Sequence, residues 1–124
     1  MQRLRVLLVE DDFVINVDIC GVLEDLGIFV TSVHTADEAI SAIDSSGCFK
    51  ALLTDIDLGA GLNGFDVARH ARGLYPKLPV VFVSGTLGSR HAAEGVEGSV
   101  LVAKPFHPLQ IREALDRAVG LEAA

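Results

Sequence analysis

Apolar residues along this chain fall in short unbroken runs, separated by stretches in which they recur every three or four positions. Leu4–Val9 is nearly continuous, as expected of a strand covered on both faces. Ile15, Ile19, Val22, Leu23 and Leu26 then follow at helical spacing, and Gly27 supplies the stop. Ile28–Val33 is rich in β-branched residues and predicts a second strand. Thr35 and Glu38 form a capping box, with Asp37 and Glu38 in the first turn of a helix running to about Asp44. Ala51–Thr54 predicts the third strand and Gly59–Gly64 a loop, with Asn63 capping a helix that reaches Gly73. Pro76 and Pro79 bracket the turn into a fourth strand, Val80–Val83, and Ser99–Ala103 makes a fifth. The last helix starts near Pro108, with Ile111, Leu115 and Val119 on one face and Glu113 and Arg117 at i,i+4 on another. Gly85–Gly98 is the weak stretch: it holds Gly85, Gly88, Gly95 and Gly98 and few large apolar residues, so its helix is expected to be short and poorly anchored.

Strands alternating with helices predict an α/β fold: a doubly wound, five-stranded parallel sheet of order 2-1-3-4-5, flavodoxin-like, with helices on both faces. At 124 residues the chain suits one domain, residues 1–124. With 50% hydrophobic and 22% charged residues it is expected to fold compactly. No apolar run approaches the roughly 20 residues of a membrane helix. The N-terminus, MQRLRVLLVEDD, meets acidic residues long before the roughly 7–15 apolar residues of a signal peptide are reached. It reads as a first strand, and the protein as cytoplasmic. A net charge of −7 and dispersed basic residues disfavour direct binding to nucleic acid, which needs a basic face. Cys20 and Cys48 form no CxxC or Cys/His pattern and read as tolerated thiols. His34, His70, His91 and His107 lack metal-ligand spacing. There is no internal repeat or linker, and only GLEAA follows Val119.

The chemistry gathers where the strands end. Glu10 and Asp11 follow VLLV, Asp55 follows ALLT, Ser84 follows VVFV, and Lys104 follows SVLVA. In an open parallel sheet the C-terminal strand ends share one edge, and the switch between strands one and three receives the ligand. Carboxylates clustered there repel one another without a counterion. Mg²⁺ suits them, since it takes oxygen ligands, retains waters and bridges carboxylates to phosphate oxygens. Asp55 is then the natural nucleophile for an acyl phosphate, with Ser84 and Lys104 offsetting charge on the phosphoryl oxygens. Asp12 reads as a solvated loop residue or a helix cap.

With LLVEDD after strand one, LLTDIDL after strand three, NGFD opening helix three, VVFVSG after strand four and VAKPF after strand five, the chain resembles the receiver domains of two-component response regulators. The resemblance spans essentially the whole chain and suggests a stand-alone, single-domain bacterial member. It implies that Asp55 is the phosphoacceptor and that Asp11 is a direct Mg²⁺ ligand, with Glu10 acting partly through water. It implies a third protein ligand in the Asp57 backbone carbonyl, a switch hydroxyl in Ser84, a phosphoryl-pairing lysine in Lys104, and a cis Lys104–Pro105 bond. The implied partners are a sensor histidine kinase or histidine phosphotransfer protein and a downstream effector protein. The expected chemistry is self-catalysed phosphotransfer and dephosphorylation, without turnover of a separate substrate.

Some positions depart from the family. The loop IDLGAGLNG has glycine where relatives often have proline, and one extra residue. Gly85 stands where alanine is frequent, and Leu101 where relatives carry an aromatic residue or histidine. Phe82-Val83-Ser84-Gly85 is similar to the Phe-Ala-Thr-Gly of some stand-alone receivers, although Thr86-Leu87 then departs from that subgroup. Leu101 cannot serve as an aromatic switch. Gly85–Gly98, with a helix near Arg90–Glu94, is the expected two-state element instead, drawn by Ser84 toward a phosphorylated Asp55. Two alternatives stand beside this reading. A degenerate receiver would act as a phosphorylation-independent interaction module. A haloacid-dehalogenase-type phosphatase would use Asp55 and Asp57 as its DxD pair, but that motif belongs on a first strand. No Gly-rich phosphate loop follows strand one, which disfavours a flavodoxin-like nucleotide binder.

Overall fold

The computed structural model describes residues 4–46, 49–59, 61–85 and 94–123. Its elements run β1 (Arg5–Val9), α1 (Phe13–Asp25), β2 (Phe29–Val33), α2 (Ala36–Ser46), β3 (Ala51–Asp55), α3 (Gly64–Leu74), β4 (Val80–Ser84), β5 (Val100–Ala103) and α4 (Pro108–Ala123). The five strands form one parallel sheet in the order β2-β1-β3-β4-β5. This is the order the alternation of elements predicts.

Side chains alternate across the sheet and divide the core in two. Leu7, Val9, Leu52, Val80 and Phe82 face Ala39 and Ile43 of α2 and Phe65, Ala68 and Ala71 of α3. Val6, Leu8, Leu53, Val81, Val83, Val100 and Val102 face Ile19 and Leu23 of α1 and Ile111, Ala114, Leu115 and Ala118 of α4. Because both faces are covered, the central strands read as continuous apolar runs. Phe65 and Phe82 meet with ring centroids 5.0 Å apart, tying α3 to β4.

Several boundaries differ from the sequence reading. β3 and β4 each extend one residue, so Asp55 and Ser84 end their strands rather than follow them. α1 stops at Asp25, and Leu26 is 40% exposed rather than on the core face. The Leu26 amide donates back to the Val22 and Leu23 carbonyls, and Gly27 (φ 79°) turns the chain away. In α4, Ala114 and Ala118 share the buried face with Ile111 and Leu115 while Val119 is half-buried, and the ion pair is Arg112–Asp116 (3.9 Å). α2 begins as expected: the Glu38 amide donates to Thr35 Oγ1 and the Thr35 amide to Glu38 Oε1, both at 3.1 Å.

α3 opens on a capping box, Asn63 Oδ1 accepting from the Asp66 amide (3.1 Å) and Asp66 Oδ2 from the Asn63 amide (2.9 Å). Gly64 follows, and its amide donates to the Ile56 carbonyl at 2.8 Å. A Cβ on Gly64 would run into the Asp55 carbonyl group, which is backbone and cannot turn aside. Gly64→Ala is therefore expected to destabilise the fold by about 1–3 kcal/mol, as an over-packed position does. Urea unfolding with a wild-type midpoint would show that α3 tolerates a shift there.

Candidate functional site

In-register parallel pairing aligns the strand ends. Val9 is level with Val33 and with Thr54, Asp55 with Val83, and Ser84 with Ala103. The residues that finish or follow these strands, Glu10, Asp55, Ser84 and Lys104, therefore line one edge. Backbone bonds hold the edge together: Glu10 N to Val33 O (3.1 Å), Ile56 N to Val83 O (3.0 Å) and Lys104 N to Ser84 O (2.7 Å). The Lys104–Pro105 bond is cis.

Glu10, Asp55 and Ser84 are buried, whereas Asp11 is exposed. Lys104 Nζ lies 2.8 Å from Glu10 Oε1 and 3.0 Å from Asp55 Oδ2. Asp55 Oδ1 accepts from the Asp57 amide (3.2 Å), and Glu10 Oε2 from the Asp12 amide (3.0 Å). Asp12 is a helix cap, accepting from the Ile15 amide at 3.1 Å, and stands apart from the acidic cluster. The Asp57 side chain is exposed.

Burial pushes the Glu10 carboxyl up to about 7, and the neighbouring Asp55 adds to the rise against the lowering pull of Lys104 and the Asp12 amide. Burial alone would lower the Lys104 ammonium, but its contacts with Glu10 and Asp55 outweigh this and raise it. The raised Glu10 means that the folded protein binds more protons than the unfolded chain between pH 4.5 and about 7. Its stabilising contribution is complete below that window and is lost as pH rises through it. The metal-free protein is expected to lose up to about 3 kcal/mol from pH 5 to pH 8, a loss that Mg²⁺ should reduce. Denaturant titrations at the two pH values check this, and a metal-free protein equally stable at both would show that Glu10 titrates normally.

The cluster fits a hard divalent cation. Glu10, Asp11 and Asp55 each offer a carboxylate oxygen, and these atoms lie within 4.8 Å of one another. Glu10 Oε1 is buried, and the group that meets its charge is the Lys104 ammonium 2.8 Å away. Exposed Asp11 opens the cluster to solvent.

The structure thus brings together Glu10, Asp11, Asp55 and Lys104, with Ser84 one residue beyond the Asp55–Val83 pair on the adjoining strand. The Gly59–Gly64 loop uses its glycines at Gly59 (φ 81°) and Gly61 (φ 94°), a backbone that proline could not adopt. Leu101 is half-buried against the α2–α3 core. The expected switch segment falls largely on residues 86–93, outside the described residues, and Cys48 and His91 also lie outside them. His70 pairs with Asp44 (2.7 Å) between α3 and α2, remote from the strand-end edge.

Three supporting residues went unmarked in the sequence. Thr54 is buried and donates through Oγ1 to the Asp55 carbonyl at 2.9 Å. Asn16, also buried, donates from Nδ2 to the carbonyls of Glu10 (3.1 Å) and Val33 (3.3 Å). His34 Nδ1 lies 3.2 Å from the Glu10 carbonyl. Asn16 could have been noticed as the polar member of an inward row with Ile19 and Leu23. Nothing local distinguishes Thr54 or His34.

Comparison with known proteins agrees with this geometry. The response regulator receiver domain matches residues 6–116. The chain is 29% identical to the phyllosphere-induced regulator PhyR of Methylorubrum extorquens, over 93% of this chain but only 43% of PhyR. It therefore spans less than half the length of that relative. It is also 29% identical to the response regulator receiver protein CpdR of Brucella abortus, over 83% of this chain and 86% of CpdR. Among solved structures, a response regulator receiver protein from Sinorhizobium medicae superposes with a TM-score of 0.93 at 30% identity, over 98% of both chains. The receiver domain of a Pseudomonas aeruginosa sensor histidine kinase shares the fold (TM-score 0.81, 24% identity, 96% of this chain and 99% of that one). That structure has a magnesium ion coordinated in its active-site cleft.

Proposed function

This chain belongs to the response regulator receiver domain family, and from that membership we propose that Asp55 accepts a phosphoryl group from a phosphohistidine while Mg²⁺ is bound beside it. Receiver domains act in two-component signalling with histidine kinases or histidine phosphotransfer proteins, and a protein of one of these kinds is the donor. The observation that carries the reading is Lys104 Nζ bridging Glu10 and Asp55 at 2.8 and 3.0 Å, two carboxylates that with Asp11 are spaced for one cation.

In the transfer, an Asp55 carboxylate oxygen attacks phosphorus. The bond from phosphorus to the donor imidazole nitrogen breaks, and its electron pair returns to that nitrogen. Asp55 becomes an acyl phosphate. In dephosphorylation, water attacks phosphorus, the phosphorus–oxygen bond to Asp55 breaks with its electron pair returning to the carboxylate, and inorganic phosphate leaves with the water's protons shared between it and solvent. Asp11 and Asp55 would hold Mg²⁺ with the Asp57 backbone carbonyl, and Glu10 would act partly through water; the ion would offset negative charge on the phosphoryl oxygens. Ser84 donates its hydroxyl to one phosphoryl oxygen, and the Lys104 ammonium pairs with another once the Asp55 charge has moved outward. Movement of Ser84 and Lys104 carries the change to β4 and β5 and alters the surface offered to a downstream protein. No helix among the described residues is long and apolar enough to cross a membrane, in keeping with a cytoplasmic role.

Incubation with acetyl phosphate and Mg²⁺, followed by intact-mass measurement, tests the reading. The expected result is the gain of one phosphoryl group, lost when EDTA is present. A mass unchanged under both conditions would favour the phosphorylation-independent interaction module.

A further inference from the structure

We propose that Asn16 and His34 are positioning residues that clamp the Glu10 backbone carbonyl and so hold the Glu10–Asp11 carboxylates in register for a divalent cation, an inference that rests on the metal reading above. Glu10 is held at every polar atom. Its amide donates to Val33 O, its Oε2 accepts from the Asp12 amide, and its Oε1 faces Lys104. Its carbonyl is approached by two side chains from different elements, Asn16 Nδ2 of α1 at 3.1 Å and His34 Nδ1 after β2 at 3.2 Å.

Counting hydrogens assigns the imidazole. Asn16 Nδ2 carries two, and these point to the carbonyls of Glu10 and Val33. None remains for His34 Nδ1, 3.5 Å away, so that contact is packing. A carbonyl only accepts, so His34 Nδ1 must carry the hydrogen and donate to Glu10 O, which fixes the neutral ring as the Nδ1–H tautomer. The Phe13 ring, stacked on His34 with centroids 5.9 Å apart and planes 24° apart, limits tilting of the imidazole plane, and the bond to Glu10 O sets which edge faces inward. Asn16 is 3% exposed and spans the β1 and β2 ends, so α1 and β2 are both latched to the residue that precedes Asp11. Outer partners of this kind orient ligands, and their loss typically costs about 10–100-fold in metal affinity.

Two measurements on the full chain test the clamp. In the metal-free protein at pH 8, ¹H–¹⁵N correlation spectra of the imidazoles should show His34 protonated on Nδ1. By calorimetric titration with Mg²⁺, His34→Leu should bind about tenfold more weakly than wild type. His34→Asn, which returns an N–H donor close to the position of Nδ1, should bind nearly as tightly as wild type. Asn16→Leu should weaken binding similarly. Should it unfold, the His34 pair still decides. An Nε2–H tautomer, equal affinity in His34→Leu, or no recovery in His34→Asn would overturn the clamp. Wild-type protein that shows the Nδ1–H tautomer but binds no Mg²⁺ would overturn the metal reading beneath it and leave the contact as structural only.

Discussion

Asp55→Asn is expected to abolish phosphorylation by acetyl phosphate completely while leaving the fold intact. Asparagine matches aspartate in shape, and its side-chain oxygen can still accept from the Asp57 amide as Asp55 Oδ1 does. What it loses is the anionic oxygen. The amide lone pair is delocalised, so the carboxamide cannot attack phosphorus, and the group facing Lys104 Nζ becomes either a second donor or a neutral oxygen. One oxygen donor to the cation weakens as well. Intact-mass spectra of the two proteins, treated side by side with Mg²⁺, give the readout. The wild-type adduct should disappear in hydroxylamine, which cleaves an acyl phosphate and spares a phosphoserine. An Asp55→Asn protein that labels to the wild-type extent would move the acceptor elsewhere, with Ser84 and Asp57 the first positions to examine.

Lys104→Ala is expected to lower stability in the absence of metal and to break the link between phosphorylation and the rest of the sheet. Without the ammonium, two buried carboxylates share the pocket with no cation between them. Removing one partner of a fully buried pair costs about 3–5 kcal/mol; here the Lys104 side chain is 18% exposed and Glu10 can take up a proton, so about 1–3 kcal/mol is expected. Mg²⁺ restores the missing positive charge and should raise the melting temperature of the variant more than that of wild type. A variant that melts like wild type without metal would show that the bridge contributes nothing net. The second consequence concerns signalling. The Lys104 amide is bonded to the Ser84 carbonyl, so side chain and backbone of Lys104 join the pocket to β4 and β5. Adding beryllofluoride with Mg²⁺ should perturb β5 amides in wild type and leave them nearly unmoved in Lys104→Ala. Equal perturbation in both proteins would remove the lysine from the coupling.

Strand and helix order, and the residues of the acidic pocket, can be read from the chain because they follow local rules. Runs such as Val6–Val9 and Val80–Val83 carry no polar interruption, and an all-parallel sheet can cover them only with helices on both faces. Sheet order 2-1-3-4-5 then sets Glu10 and Asp55 on neighbouring strands at a shared edge. Capping residues are equally local, and Thr35–Glu38 and Asn63–Asp66 bond as their spacing dictates.

What the sequence alone could not decide depends on atoms brought close from distant positions. Gly64 is a loop glycine in the sequence; only the approach of α3 to the end of β3 shows that a Cβ would strike the Asp55 carbonyl. Leu26 belongs to an apolar helical row by spacing, yet α1 ends at Asp25 and the turn at Gly27 leaves Leu26 exposed, a position that spacing alone does not reveal. Asn16 and His34 lie 18 residues apart and meet only because α1 returns the chain to a strand parallel to β1. That Glu10, Asp11, Asp55 and Lys104 meet at one edge, with Ser84 at the end of the adjoining strand, thus follows from sequence, since strand ends of a parallel sheet converge whatever the detail. How charge is shared among them, with Lys104 bridging two carboxylates and burial raising Glu10, is decided by packing: proton affinity depends on distances and solvent exclusion, which no residue carries on its own.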